Sequence, residues 1–254
     1  MVIMMRVKNT TQESLMAMKV SDNVLALDEL FPQVKDFVIE HCYASISEIQ
    51  RKFRVGFNRA TRIVEQLEAN GVITEMNEEG VRLSLIVTDE QQAWWNALPV
   101  LWKKIFTTHI YHGDKLFTPA KQFYEPSAEI ELRRKTDLIH VFCLTEIGFY
   151  KGPSLDYIPD LRYFNRLERF SIRHRQIADI RTLAQCKSLR EVSLPFNQIR
   201  DISPLFELPF LEEVLLAGNP IADETQLSAL LKKVEEQRTK QQKIMKVFSD
   251  SISH

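Results

Sequence analysis

Asn58, Arg59, Arg62 and Gln66 recur at spacings of three and four, so on a helix they share one face, while Ala60, Ile63, Val64 and Leu67 hold the opposite one. The chemistry of that polar face is specific. An arginine fork matches the two acceptors on the major-groove edge of guanine, and a carboxamide does the same for adenine, whereas a merely solvated face mixes lysine with glutamate. Gln50 to Arg62 holds five basic residues and no acid. These side chains suit base edges of duplex DNA, with phosphate attraction supplied by the same stretch.

The elements that must position them are legible on both sides. Ser45 with Glu48 three places on fits a capping box, and Ile46, Ile49 and Phe53 form one apolar stripe behind it. Arg54-Val55-Gly56 is a tight break, and the second helix ends at Asn70-Gly71, so the pair reads as a helix-turn-helix around a glycine turn. Leu30 to His41 is an earlier helix with Pro32 in its opening turn and Val34, Phe37, Val38 and His41 on one side. Val72-Ile73 and the alternation Val81, Leu83, Leu85, Val87 read as two strands joined through Asn77 to Gly80, a short wing.

The run QRKFRVGFNRATRIVEQLEANGVIT resembles the gamma domain of the FtsK family of bacterial DNA translocases, over Leu30 to Leu83. In that family the gamma domain is a winged helix reading short G-rich, direction-marking sequences. The resemblance implies base or groove contact for Asn58, Arg59 and Arg62, backbone or turn roles for Arg51 and Gly56, and a further contact at Arg82 after the wing turn. Glu78 and Glu79 depart from it, because an acid at the wing tip would face phosphate. Residues 28–88 hold seven Lys/Arg against ten Asp/Glu, a balance of 7 − 10 = −3, with the basic residues gathered on the turn and recognition helix. A helix-turn-helix that docks protein instead of DNA is the alternative.

The second half carries an internal repeat. Leu167, Leu189 and Leu211 are 22 residues apart, as are Phe170, Val192 and Val214, Ile172, Leu194 and Leu216, Ile177, Ile199 and Ile221, and Asp179, Asp201 and Asp223. The pattern LxxLxLxxNxIxDIxPLxxL resembles internalin-like leucine-rich repeats, with Asn197 and Asn219 in the asparagine column and Arg175 departing from it. Ile158, Leu161 and Phe164 mark a degenerate earlier repeat, and Ile139, Val141 and Cys143 alternate as a further strand would. Arg169, Ser171, Arg173, Glu191, Ser193, Glu213 and Leu215 fall on the outward, concave side of the strands, the expected seat of an acidic or mixed-charge protein partner. Leu161 to Arg190 carries eight Lys/Arg against two acids, so a phosphate track is the other reading of its arginines.

Asp89 to Ile110 holds all three tryptophans on two short helices meeting at Pro99, expected to join the modules or to cap the open end of the repeats. Leu227, Leu230, Leu231 and Val234, with Asp223 and Gln226 as a cap pair, predict a C-terminal covering helix to Lys246 with fraying ends. His109 and His112 lack convincing further zinc ligands, so no metal is expected. No GxxxxGK[ST] phosphate loop and no nucleophile–base motif occurs, so the reading is non-enzymatic, with no cofactor and no nucleotide. Three scattered cysteines, a net charge of −1 and no long apolar run point to a cytoplasmic protein without a membrane anchor.

The whole reads as an α+β protein of two modules, a winged helix-turn-helix followed by a short leucine-rich-repeat solenoid with helical caps. The expected divisions are 1–27 without assigned function, 28–88 winged helix, 89–125 helical connector, 126–224 repeats and 225–254 C-terminal cap. Its expected partners are duplex DNA and a protein.

Overall fold

In a computed structural model, residues 26–78, 80–112, 132–149 and 154–252 are described. Two apolar cores organise them. The smaller one gathers Val34, Val38, Ile49, Ala60, Ile63 and Leu67 from three helices: α1 (Phe31–His41), α2 (Ile46–Phe53) and α3 (Phe57–Ala69). These are the apolar stripes read from the sequence, buried against each other.

Local capping differs from expectation in two places. Ser45 Oγ accepts from the Glu48 N–H, but Glu48 does not return the bond; its carboxylate accepts from the Tyr43 hydroxyl at 2.7 Å, so the box is half formed. The left-handed turn residue is Arg54 (φ 53°), held by a backbone bond to Gln50, and not Gly56, which is extended at φ −70°. The break is therefore made by an arginine in a conformation few side chains adopt, leaving the glycine for another purpose.

The wing is shorter than its alternation implies. β1 (Tyr43–Ala44) pairs antiparallel with β2 (Arg82–Leu83), while Ile73 meets Ser84 through a single bridge. Ser84 is buried, and its Oγ accepts from the Ile86 N–H at 3.1 Å, so the chain turns there and Leu85 is left exposed. A hydroxyl that bonds its own backbone two residues on ends the strand.

The larger core joins this unit to the rest of the chain. It contains Cys42 and Leu83 together with Trp95, Trp102 and Phe106, from α4 (Asp89–Ala97) and α5 (Val100–His112). Thr88 and Gln91 make a complete capping box at the start of α4, and Gln91 Nε2 donates to Ile39 O, tying α4 to α1. Trp94 and Trp102 donate their indole N–H groups to Asp160 O and Tyr157 O. Trp95 and Trp102 are buried in this core and Trp94 packs against it.

Beyond α5 the predicted strand at Ile139 to Cys143 is a helix instead, α6 (Asp137–Phe142), with Leu138, Ile139, Val141 and Phe142 all buried. With only His140 exposed among its six residues, the helix lacks the periodicity that distinguishes helix from strand. Asp137 fixes its start, accepting from the Arg134 N–H and the Tyr111 hydroxyl. The strand comes next: β3 (Glu146–Phe149) begins a four-stranded parallel sheet with β4 (Arg169–Ile172), β5 (Glu191–Ser193) and β6 (Glu213–Leu215).

Each repeat position has one physical job. The register pairs Phe170 with Val192 and Val192 with Val214, all buried. Asp179, Asp201 and Asp223 each accept from the backbone N–H two residues on, which opens the short helical turns 181–185 and 203–207 and then α7 (Glu224–Ile252). Asn197 Nδ2 donates to Ile172 O and Leu194 O, and Asn219 Nδ2 to Leu194 O and Leu216 O, stitching neighbouring units. At the same column Arg175 lies over the Phe149 ring. His174, Phe196 and Gly218 form a further 22-residue column that pattern reading missed: all three have positive φ, and the first two rings stack at 4.4 Å.

α7 covers the β6 end. Leu230 and Val234 are buried, and Lys233 Nζ donates to Phe206 O and Leu208 O. It continues past Lys246 to Ile252.

Candidate nucleic-acid interface

α3 presents its polar face outward, as the spacing requires. Asn58 and Arg62 are exposed on it, with Glu65 one turn on along the same ridge, while Arg59 and Gln66 are half-buried at its flank. Glu65 is not among the sequence candidates, because an acid breaks the basic pattern of that face; glutamate accepts from the cytosine amino group. Gly56 is the N-cap, with no side-chain cap bond, and a Cβ built there would meet nothing within 4 Å. The α3 N-terminus is therefore open to an approaching anion.

Beneath the ridge lies Asp28, which the domain division at residue 28 had left unremarked. Its carboxylate accepts from Arg59 Nε at 2.9 Å, Arg59 Nη2 at 2.8 Å, Arg62 Nη2 at 2.9 Å and the Leu30 N–H at 3.0 Å. The Arg59 bonds, with help from Leu30 and Arg62, hold its carboxyl far below the ordinary carboxylate range against the opposing effect of burial. Gln66 completes the strap, accepting the Asp28 N–H and donating to Ala26 O. Ala26 is thus tied to α3 through Gln66; residues 1–25 lie outside the described residues. No periodicity betrays an acid that acts from a different segment, so only the fold reveals this one.

The remaining sequence candidates lie elsewhere. Arg82 pairs through Nε with Glu68 Oε2 at 3.1 Å, tying the wing to the end of α3. Arg51 is exposed and lines a cavity of about 400 Å³ with His41, Tyr43, Lys52 and Asn165, at the junction with the second unit. Glu78 is exposed, and Glu79 lies outside the described residues.

The sheet brings its seven candidates together. Arg169, Ser171, Arg173, Glu191, Ser193, Glu213 and Leu215 line one groove of about 530 Å³ with Glu146. Arg169 is bound to Glu146 through Nε at 2.9 Å and through Nη2. Burial raises the Glu191 carboxyl, with Arg169 opposing and Glu213 adding to the rise. Among the described residues, Ser171 Oγ and Ser193 Oγ are buried without a hydrogen-bond partner. Outside the groove Arg162, Arg181, Lys187 and Arg190 each sit in an ion pair, so much of the basic stretch is answered within the chain.

Among the described residues no group of three or more metal-ligating side chains occurs. His109 is buried and bonded to Gly148; the side chain of His112 lies outside those described. Cys42, Cys143 and Cys186 are free, and burial pushes each thiol up, Cys143 and Cys186 to about 12. Among the described residues no helix is long and apolar enough to cross a membrane.

Comparison with known proteins bears on the first unit. The DNA translocase FtsK of Haemophilus influenzae is 56% identical over 50 residues, 20% of this chain and 10% of that protein. The DNA translocase FtsK of Vibrio vulnificus is 48% identical over 56 residues, 22% of this chain and 6% of that protein. The chain thus spans no more than about a tenth of these relatives. An internalin structure from Listeria monocytogenes covers 33% of this chain and 24% of its own at 30% identity, with a TM-score of 0.31. The family likeness that these comparisons establish is regional: residues 26–87 match the Ftsk gamma domain, a winged helix.

Proposed function

We propose that the protein is a non-enzymatic DNA-binding adaptor: its winged helix reads duplex DNA, and its parallel sheet, a short leucine-rich-repeat solenoid, holds a protein partner. The observation that carries the first half is the α3 ridge, where Asn58 and Arg62 are exposed beside a bare helix N-terminus. Asparagine and arginine in that setting match adenine and guanine edges, and the open amides match phosphate. The relatives that match over 50 and 56 residues are named DNA translocases, which supports the same reading.

The second half rests on the groove of β3 to β6. Ion pairing of the surrounding basic residues favours a protein over a phosphate track, because paired arginines attract polyanions weakly. The row Glu146, Arg169, Glu191, Glu213 has three acids and one base, and Arg173 is exposed nearby. A mixed-charge segment with a basic side chain toward Glu191 and Glu213 complements it. A cytoplasmic setting accords with three free thiols.

Titrating a labelled random-sequence duplex with the full chain tests the first half. Saturable binding that weakens steeply as salt rises is expected. No binding at low salt would leave the helix-turn-helix as a protein dock, a reading that the −3 balance of residues 28–88 favours.

A further inference from the structure

We infer that Asp28 is a positioning residue for base readout: it presets the Arg62 guanidinium from below, with Arg59 as its counter-brace instead of a second reader. The inference rests on the DNA reading proposed above and assigns, within it, which arginine reads and which one supports.

Exposure gives the order of the layers. The Asp28 side chain is 2% exposed, whereas Arg59 is 41% and Arg62 55% exposed. The arginines cover the acid, and the acid does not cover them, so it cannot act as a mask lying over the reading face. The donors are divided unequally. Arg59 gives Asp28 both Nε and Nη2, the side-on fork that would otherwise match a guanine, while Arg62 gives Asp28 one terminal nitrogen and leaves more than half of its side chain exposed.

The brace is itself anchored. The Asp28 N–H donates to Gln66 Oε1 at 3.0 Å, Gln66 Nε2 reaches Ala26 O at 3.3 Å, and the Phe31 N–H donates to Asp28 O at 2.8 Å. Asp28 is thus fixed to α3 and to the start of α1 together. A long arginine held in its bound geometry before DNA arrives loses less freedom on binding, and a guanidinium fixed in direction tolerates fewer bases beneath it. Gln66, by the same bonds, is a support and not a reader.

The test uses the full chain, a duplex enriched by the parent from a random pool, and a shuffled duplex of the same composition. Discrimination, the ratio of the two Kd values, is measured for the parent, Asp28→Asn, Arg59→Ala, Arg62→Ala and the double alanine variant. Asp28→Asn should lower discrimination by roughly tenfold while affinity for the shuffled duplex holds or rises, since loss of a negative charge strengthens phosphate attraction. Arg59→Ala should lower discrimination only while Arg62 is present, giving a strongly non-additive cycle; that cycle carries the test where Asp28→Asn melts early. Unchanged discrimination in Asp28→Asn with additive arginine losses overturns the brace and leaves DNA reading intact. Tighter specific binding by Asp28→Asn makes the acid a competitor, and a proportional fall on both duplexes makes it merely structural; either result overturns the inference. A parent that enriches no duplex overturns the DNA reading and the brace with it.

Discussion

Glu146 grips Arg169 across the β3–β4 pair, accepting from both Nε and Nη2. One of the two arginines expected to greet an acidic partner is therefore already answered, and the surplus charge of its row lies toward Glu191 and Glu213. Reversing both to lysine should leave the melting temperature nearly unchanged, because both are exposed, and should abolish binding of the partner that copurifies with the parent. A folded Glu191→Lys, Glu213→Lys variant that binds this purified partner with parental affinity removes the groove from the account.

Asn197 is 1% exposed and joins three backbone segments, so Asn197→Ala strands the buried Ile172 carbonyl and the Ile177 N–H, while Leu194 O keeps its bond from Asn219. Leaving such groups unsatisfied costs about 2–4 kcal/mol in all. Urea unfolding should report a loss of that size; a change below about 0.5 kcal/mol would show that the asparagine column does not stitch the sheet.

Two glycines make a paired prediction. Gly218 has φ 75°, and a Cβ there falls 2.5 Å from the Phe196 ring, so Gly218→Ala must displace that ring from its stack on His174. Strain plus repacking should cost about 1–3 kcal/mol. Gly56 has φ −70° and open space around it, so Gly56→Ala should cost less than about 1 kcal/mol in stability while lowering duplex affinity. Equal stability losses at the two sites, read by thermal melts, would contradict this division.

Much of this architecture was legible because it is periodic. The apolar faces of α1 to α3 and the 22-residue columns repeat at fixed spacing, and the columns keep their jobs except at Arg175, which lies over Phe149 where Asn197 and Asn219 bond backbone. The failures fall where periodicity is silent. α6 is buried except at His140 and reads equally as strand; Ser84 ends the wing strand through one hydroxyl; Arg54 takes the turn conformation that glycine was expected to take. The polar ridge was found by type and spacing, but its division into readers and supports depends on Asp28, some thirty residues distant in sequence.

His109 gives a pH dependence with a definite sign. Burial lowers it to about 4, against the opposing bond to Gly148. A folded-state value below the ordinary 6.5 means that the unfolded chain binds the proton first, so stability is fully present above about pH 6.5 and is lost as pH falls toward 4. Between pH 7 and pH 5 the loss should be about 2 kcal/mol. The lowered carboxylates, Asp28 among them, lose their contribution only below about pH 4 and stay out of this window. His109→Gln should flatten the dependence in urea titrations; a slope unchanged by the substitution would show that another group titrates.

The central claim, that the outward ridge of α3 reads duplex DNA, is tested most directly by the full chain carrying Asn58→Ala and Arg62→Ala. Its affinity for the duplex that the parent enriches is compared with the parent's at matched salt. Loss of two base contacts at about 1–3 kcal/mol each should weaken binding to that duplex by tenfold or more, and binding to a shuffled duplex far less. Parental affinity on both duplexes, in a variant with parental melting temperature, would contradict the account.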